Sequence, residues 1–90
     1  MADTIQGSVT NIVDGDTFDM VVTHTGRNNE YEYNSEERIR IASIDEPELD
    51  TPSGKRSKDT LERKLLGKEV RCYVQSRDSY RRVVADVRVL

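Results

Sequence analysis

Apolar and polar residues alternate along much of this chain. Phe18, Met20 and Val22 alternate with Asp19, Val21 and Thr23. Val70, Cys72 and Val74 take every second place in 68–74. Val83, Ala85, Val87 and Val89 do so in 82–90, between Arg82, Asp86 and Arg88. A period of two is that of a half-buried strand. Ile5 to Val13 predicts an earlier strand, weakened at its start by Gly7. Asp14-Gly15 has the residues of a type I′ hairpin turn, and Asp16-Thr17-Phe18 then opens the second strand. Gly26-Arg27-Asn28-Asn29 is another turn signal. Glu30 to Glu37 is polar, with Tyr31 and Tyr33 on one face, and predicts the outer part of a long hairpin arm or a mobile segment. Arg38 to Ile44 is the third strand of the resulting meander.

The period changes once. Pro52 to Leu66 is the helix candidate, with Thr51 as its N-cap and Pro52 as its first residue, where the fixed φ already suits a helix. Leu61 and Leu65 lie one turn apart, and Leu66 is expected to widen their buried stripe. Asp59 and Arg63 form an i, i+4 pair, and Gly67 supplies the stop. Three strands, a helix and two further strands is the order of an OB-fold barrel. That fold binds oligonucleotides on its strand 2–3 face and adjoining loops. Closing the sheet also removes edges.

Ninety residues make one domain, 1–90, and the composition restrains it further. The apolar and charged fractions are both 34%, so a single small core is all the chain can bury. The formal charge is −3 and the pI near 5.1, so contact with phosphates must be local or carried by a metal ion. Cys72 is the single cysteine, which excludes an internal disulfide, and its alternating context predicts a buried thiol. No apolar run is long enough to span a bilayer, and no signal peptide pattern precedes Ala2-Asp3-Thr4. The expected setting is the cytoplasm or a trimmed secreted domain, without membrane contact.

The chemistry gathers where the third strand ends. In Arg40-Ile41-Ala42-Ser43-Ile44-Asp45-Glu46-Pro47-Glu48, Pro47 cannot donate to a sheet ladder, so the chain is expected to leave the sheet there. One guanidinium and three carboxylates are thereby crowded together, and either a cation or plain exposure to water resolves their repulsion. Asp16, at the mouth of the first hairpin, comes near Asp45 if strands two and three are neighbours. Asp14 to Thr25 is not an EF-hand: Phe18 stands where an oxygen ligand is needed and Thr25 where a glutamate is, and two carboxylates sharing a site favour a hard cation such as calcium. Arg40 and Arg82 are either surface arginines lying over the sheet or planar forks for a phosphate. Arg40 and Asp45 are five apart, so an ideal strand would place them on opposite faces, and a shared site requires a bend or bulge around Ser43 to Asp45.

Ile12-Val13-Asp14-Gly15-Asp16-Thr17-Phe18, then Arg40 to Glu48, then Asp78-Ser79-Tyr80-Arg81-Arg82, resemble in order the three signature stretches of the staphylococcal nuclease (thermonuclease) family. The resemblance covers Gly7 to Leu90 except the arm from Thr23 to Glu37. It implies an OB-fold, calcium-dependent phosphodiesterase acting on DNA and RNA, single strands by preference, and leaving 3′-phosphate ends. Asp16 and Asp45 would be the calcium carboxylates, with the main-chain oxygen of Glu46 as a further ligand. Glu48 would be the general base, Arg40 and Arg82 would hold the phosphate, and Tyr80 would lie along the nucleotide. A monomer is expected.

There are departures from the family pattern. Glu46 stands where Ala or Thr is usual, Arg81 where Gly is usual, and Ser79 where a Lys is common. The chain reaches Leu90 without the family's C-terminal helices. The competing reading is a non-catalytic OB module that binds single-stranded nucleic acid or a protein partner. Lys55, Arg56 and Lys58 read as a solvated helix face, His24 as a residue near a hairpin tip without an apparent partner, and Tyr31 and Tyr33 as packing on the hairpin's own neighbour, with stacking on bases as the alternative.

Overall fold

In a computed structural model, which describes residues 2–45 and 55–90, the alternating stretches close into a five-stranded barrel. The elements are β1 (Asp3–Asp14), β2 (Thr17–Thr25), β3 (Glu36–Asp45), α1 (Lys55–Leu65), β4 (Glu69–Arg77) and β5 (Val83–Val89). The order around the barrel is β1-β2-β3-β5-β4, with β1 closing antiparallel on β4 and β3 running parallel to β5. This is the mainly β OB-fold architecture, with its one helix between the third and fourth strands.

The residues that alternate fill the barrel. Ile5, Val9, Ile12, Phe18, Met20, Ile39, Val70, Cys72, Val74, Val83, Ala85 and Val87 are buried, and Leu61 and Leu65 of α1 plug one end. In β1 the inward positions pass from Val9 to Ile12, three apart. A bulge between Val9 and Asn11 supplies the extra residue. Such bulges coil a strand enough to close a small barrel. Gly7 sits at another, where β1 lies so close to β2 that a Cβ would meet the Val21 carbonyl and lie 2.9 Å from Met20 Cε. It is therefore a packing requirement, where the sequence suggested only a weak start.

Two local expectations change. The β1–β2 turn is Gly15-Asp16, and among the described residues only Asn28, Arg81 and Gly67 have positive φ, so it is not type I′. The Asp14 carboxylate instead accepts the Asp16 N–H (3.1 Å), an Asx turn that gives the chain its reversal. Leu66 does not widen the helix stripe and is 44% exposed. The chain has already turned: Gly67 takes φ +78°, its N–H donates to Val9 O (3.0 Å), and Val9 N–H donates to Lys68 O (2.9 Å). Thr51 and Pro52, the expected helix start, lie outside the described residues.

The polar stretch after β2 is neither an arm nor loose. Asn29 brackets Thr4, accepting its N–H (3.1 Å) and donating to its carbonyl (3.0 Å). Asp3 accepts the N–H groups of Glu30 (2.8 Å) and Tyr31 (2.9 Å) and the Tyr33 hydroxyl (2.8 Å). These bonds, led by that of Tyr31, hold the Asp3 carboxyl below the usual range and outweigh burial, which acts the other way. The same carboxylate, with burial as the larger cause, raises the Tyr33 phenol. His24 has a partner in Thr23, whose hydroxyl lies 3.0 Å from its Nδ1.

Candidate active site

Three separate pieces of backbone carry the candidate groups to one end of the barrel. The first is the β1–β2 turn. The Asp16 carbonyl accepts the Ile41 N–H (2.7 Å), which fastens the turn to β3. The buried Thr17 hydroxyl donates to Asp16 Oδ1 (2.9 Å), and Asp16 Oδ2 lies 3.8 Å from Arg40 Nε. Both side chains of this ion pair are about half exposed (54% and 47%), so it is weak and easily exchanged for another partner. Bonding with Asp16, through its side chain and then its N–H, holds the Asp14 carboxyl below the usual range; the charge of Arg82 adds a smaller share.

β3 is the second piece. Arg40 pairs with Thr17 on β2 and Val84 on β5, while Asp45 pairs with Arg88. Six residues of β3, Arg40 to Asp45, thus run beside five of β5, Val84 to Arg88, because a bulge between Ile41 and Ser43 inserts one residue. The bend that the sequence required appears one step earlier than expected. It makes the odd spacing of the two positions even in register. The backbone of Asp45 is described but not its side chain. Glu46, Pro47 and Glu48 lie outside the described residues. Among the described residues no three His, Cys, Asp or Glu side chains stand together to hold a metal.

The third piece is the turn from Asp78 to Arg82. Asp78 Oδ1 accepts the N–H groups of Tyr80 and Arg82 (2.9 Å each), and Asp78 Oδ2 accepts Arg82 Nε (2.6 Å). Burial alone would raise the Asp78 carboxyl; the donors of Arg82 and Tyr80 outweigh it and hold the group below the usual range. Arg81 adopts φ +66°, the conformation for which glycine is best suited. Arg82 lies just before β5, with its guanidinium 5.5 Å from the centre of the Tyr80 ring. With Nε held by Asp78, its two terminal nitrogens are the part of the fork left for a ligand. Tyr80 is 80% exposed. Arg82, Tyr80 and Arg38 line an open hollow of about 320 Å³.

Arg38 and Asp78 are two residues that the sequence placed in a strand and a motif without assigning either a role. Arg38 forks onto Asp19 through Nε (2.8 Å) and Nη2 (3.3 Å). Its position two residues before Arg40 on the same strand was the available signal. Asp78 could have been found as the short polar side chain that opens the turn and caps its own backbone.

A closed OB barrel that offers arginines and carboxylates from three loops and strands at one rim defines a domain suited to a phosphate-bearing ligand. The comparisons agree. The staphylococcal nuclease homologue family matches residues 38–90. A protein of Arthroderma otae named probable endonuclease is 34% identical over 101 residues, covering 92% of this chain and 36% of its own length. A probable staphylococcal-like nuclease of Oryza sativa subsp. japonica is 42% identical over 50 residues, which is 56% of this chain and 15% of that protein. The chain belongs to the staphylococcal nuclease family. It spans little more than a third of the fungal relative and a much smaller part of the rice one. Among the described residues no helix is long and apolar enough to cross a membrane.

Proposed function

We propose that this domain is a calcium-dependent nuclease that hydrolyses phosphodiester bonds of DNA and RNA, single strands by preference, to leave 3′-phosphate ends. The observation that carries the reading is the ion pair of Asp16 with Arg40 beside a turn whose Asp14 also feels the charge of Arg82. The donor chemistry suits calcium: Asp16 offers a half-exposed carboxylate with Arg40 3.8 Å away. Asp16, Asp45 and the main-chain oxygen of Glu46 would hold the ion, which supplies charge neutralisation at the phosphate when bound. The chain's own groups divide the remaining work. Arg40 exchanges its weak contact with Asp16 for a phosphate oxygen. Arg82, aimed by Asp78, places its terminal nitrogens on the same phosphate and opposes the charge that builds there. Glu48 takes the proton from the attacking water. Tyr80 lines the path of the nucleotide.

The test is hydrolysis of single-stranded DNA with calcium, with EDTA, and by the Glu48→Ala variant, with the product ends identified. Loss of a general base costs about 10²–10⁴ in rate. Undiminished cleavage by the alanine variant would remove Glu48 from the mechanism. Calcium-independent, salt-sensitive binding without cleavage would replace the enzyme with a binding module.

A further inference from the structure

We propose that Arg77 is a positioning residue that holds the Asp78–Arg82 turn, and with it the phosphate fork of Arg82, in working geometry. The inference rests on the role of Arg82 in the nuclease reading above. Arg77 ends β4, immediately before the turn. It forks onto Glu37 of β3, Nη1 to Oε1 (3.2 Å) and Nη2 to Oε2 (2.9 Å). The Glu37 side chain is only 4% exposed, and its Oε2 also accepts the Asn34 N–H (2.8 Å). The same guanidinium donates from Nη2 to Glu32 O (3.0 Å) and from Nη1 to Arg81 O (3.2 Å). It lies 5.3 Å from the centre of the Tyr33 ring, whose hydroxyl is held by Asp3.

One planar group thus ties three pieces of chain: β3, the connection between β2 and β3, and the turn. The bond to Arg81 O is the informative one. Arg81 is held at φ +66°, a conformation a residue with a Cβ leaves when it can. Asp78 restrains the turn on the Tyr80 and Arg82 side, and Arg77 restrains the carbonyl of the strained residue itself. If Arg81 relaxed to negative φ, the direction of the chain into Arg82 would change, and the guanidinium would leave the rim shared with Asp16 and Arg40. A lysine at position 77 can still neutralise Glu37. A single ammonium cannot fork onto Glu37 and also span to Glu32 O and Arg81 O.

The experiment compares Arg77→Lys, Arg81→Gly and the double variant. Thermal melts establish that each is folded. Cleavage of a single-stranded DNA oligonucleotide and the Arg82 Nε–H resonance in ¹⁵N spectra are then read. The expected result is that folded Arg77→Lys shifts that resonance and loses about 10-fold in kcat/KM, since a misplacement near 1 Å can cost up to about 10²-fold. Arg81→Gly alone stays within about 2-fold of the parent. In the double variant it restores most of the loss, because glycine accepts positive φ unaided. A purely structural role moves the melting temperature and neither the resonance nor the rescue. That outcome, or a double variant no better than Arg77→Lys, overturns the proposal. If the parent protein cleaves nothing, the nuclease reading fails, while the Arg82 resonance and oligonucleotide affinity by anisotropy still decide the role of Arg77.

Discussion

Replacing a glycine by alanine adds one methyl group, and at Gly7 and Gly67 that change fails for different reasons. At Gly7 the added Cβ meets the Val21 carbonyl oxygen and lies 2.9 Å from Met20 Cε. The obstacle is mainly backbone of β2, in a stretch where β1 is also paired to β4, so neither neighbour can step aside without breaking ladder bonds. Overpacking of this kind costs about 3 kcal/mol or more. At Gly67 nothing lies within 4 Å of an added Cβ, and the cost is that of φ +78° alone. A left-handed residue with a Cβ costs about 1 kcal/mol. At about 4–8 °C per kcal/mol for a domain of this size, Gly7→Ala lowers the melting temperature by about 12–24 °C and Gly67→Ala by about 4–8 °C. Thermal unfolding followed by far-ultraviolet circular dichroism measures both shifts. Equal losses, or a larger loss at Gly67, would refute the close approach of β1 and β2 at Gly7, and with it the bulged register that closes the barrel.

Two further predictions concern titrating groups. The carboxyls of Asp3, Asp19 and Asp78 all lie below the usual carboxylate range when folded; for Asp19 the main cause is its bond with Arg38. The folded state therefore binds fewer protons than the unfolded one. The contribution is fully present above about pH 4 and is lost as pH falls through the folded values. Urea midpoints should hold from pH 7 to 5 and drop below pH 4; a midpoint constant down to pH 2.5 would contradict this. Burial pushes the Cys72 thiol up to about 12, so it should react with a thiol reagent at pH 8 only on the timescale of unfolding. Rapid labelling of native protein would place the thiol outside the barrel interior.

The sequence alone settled whatever depends on neighbours along the chain. The period of two in 82–90 and 68–74 put Val83, Ala85, Val87, Val70, Cys72 and Val74 inside, because alternation sorts side chains between two faces whatever the partner strand. Gly67 was legible as a helix stop, and the element order was legible as an OB barrel. Three ordered motifs named the candidate site through their resemblance to the staphylococcal nuclease family. Contacts between distant segments were not legible. The bulge between Ile41 and Ser43, which brings positions 40 and 45 into register, is created by β5 running alongside with one residue fewer. The closed stretch from Gly26 to Ser35 looked loose because its anchors, Asp3, Thr4 and Arg77, are more than twenty residues away and polar. Arg77 shows the difference most plainly. In sequence it is one arginine among many; in space it touches Glu37, Glu32 and Arg81 together, because the fold brings the end of β4 beside the start of β3 and the connection before it. Local pattern decides which face a side chain takes, and only closure of the barrel decides what it meets there.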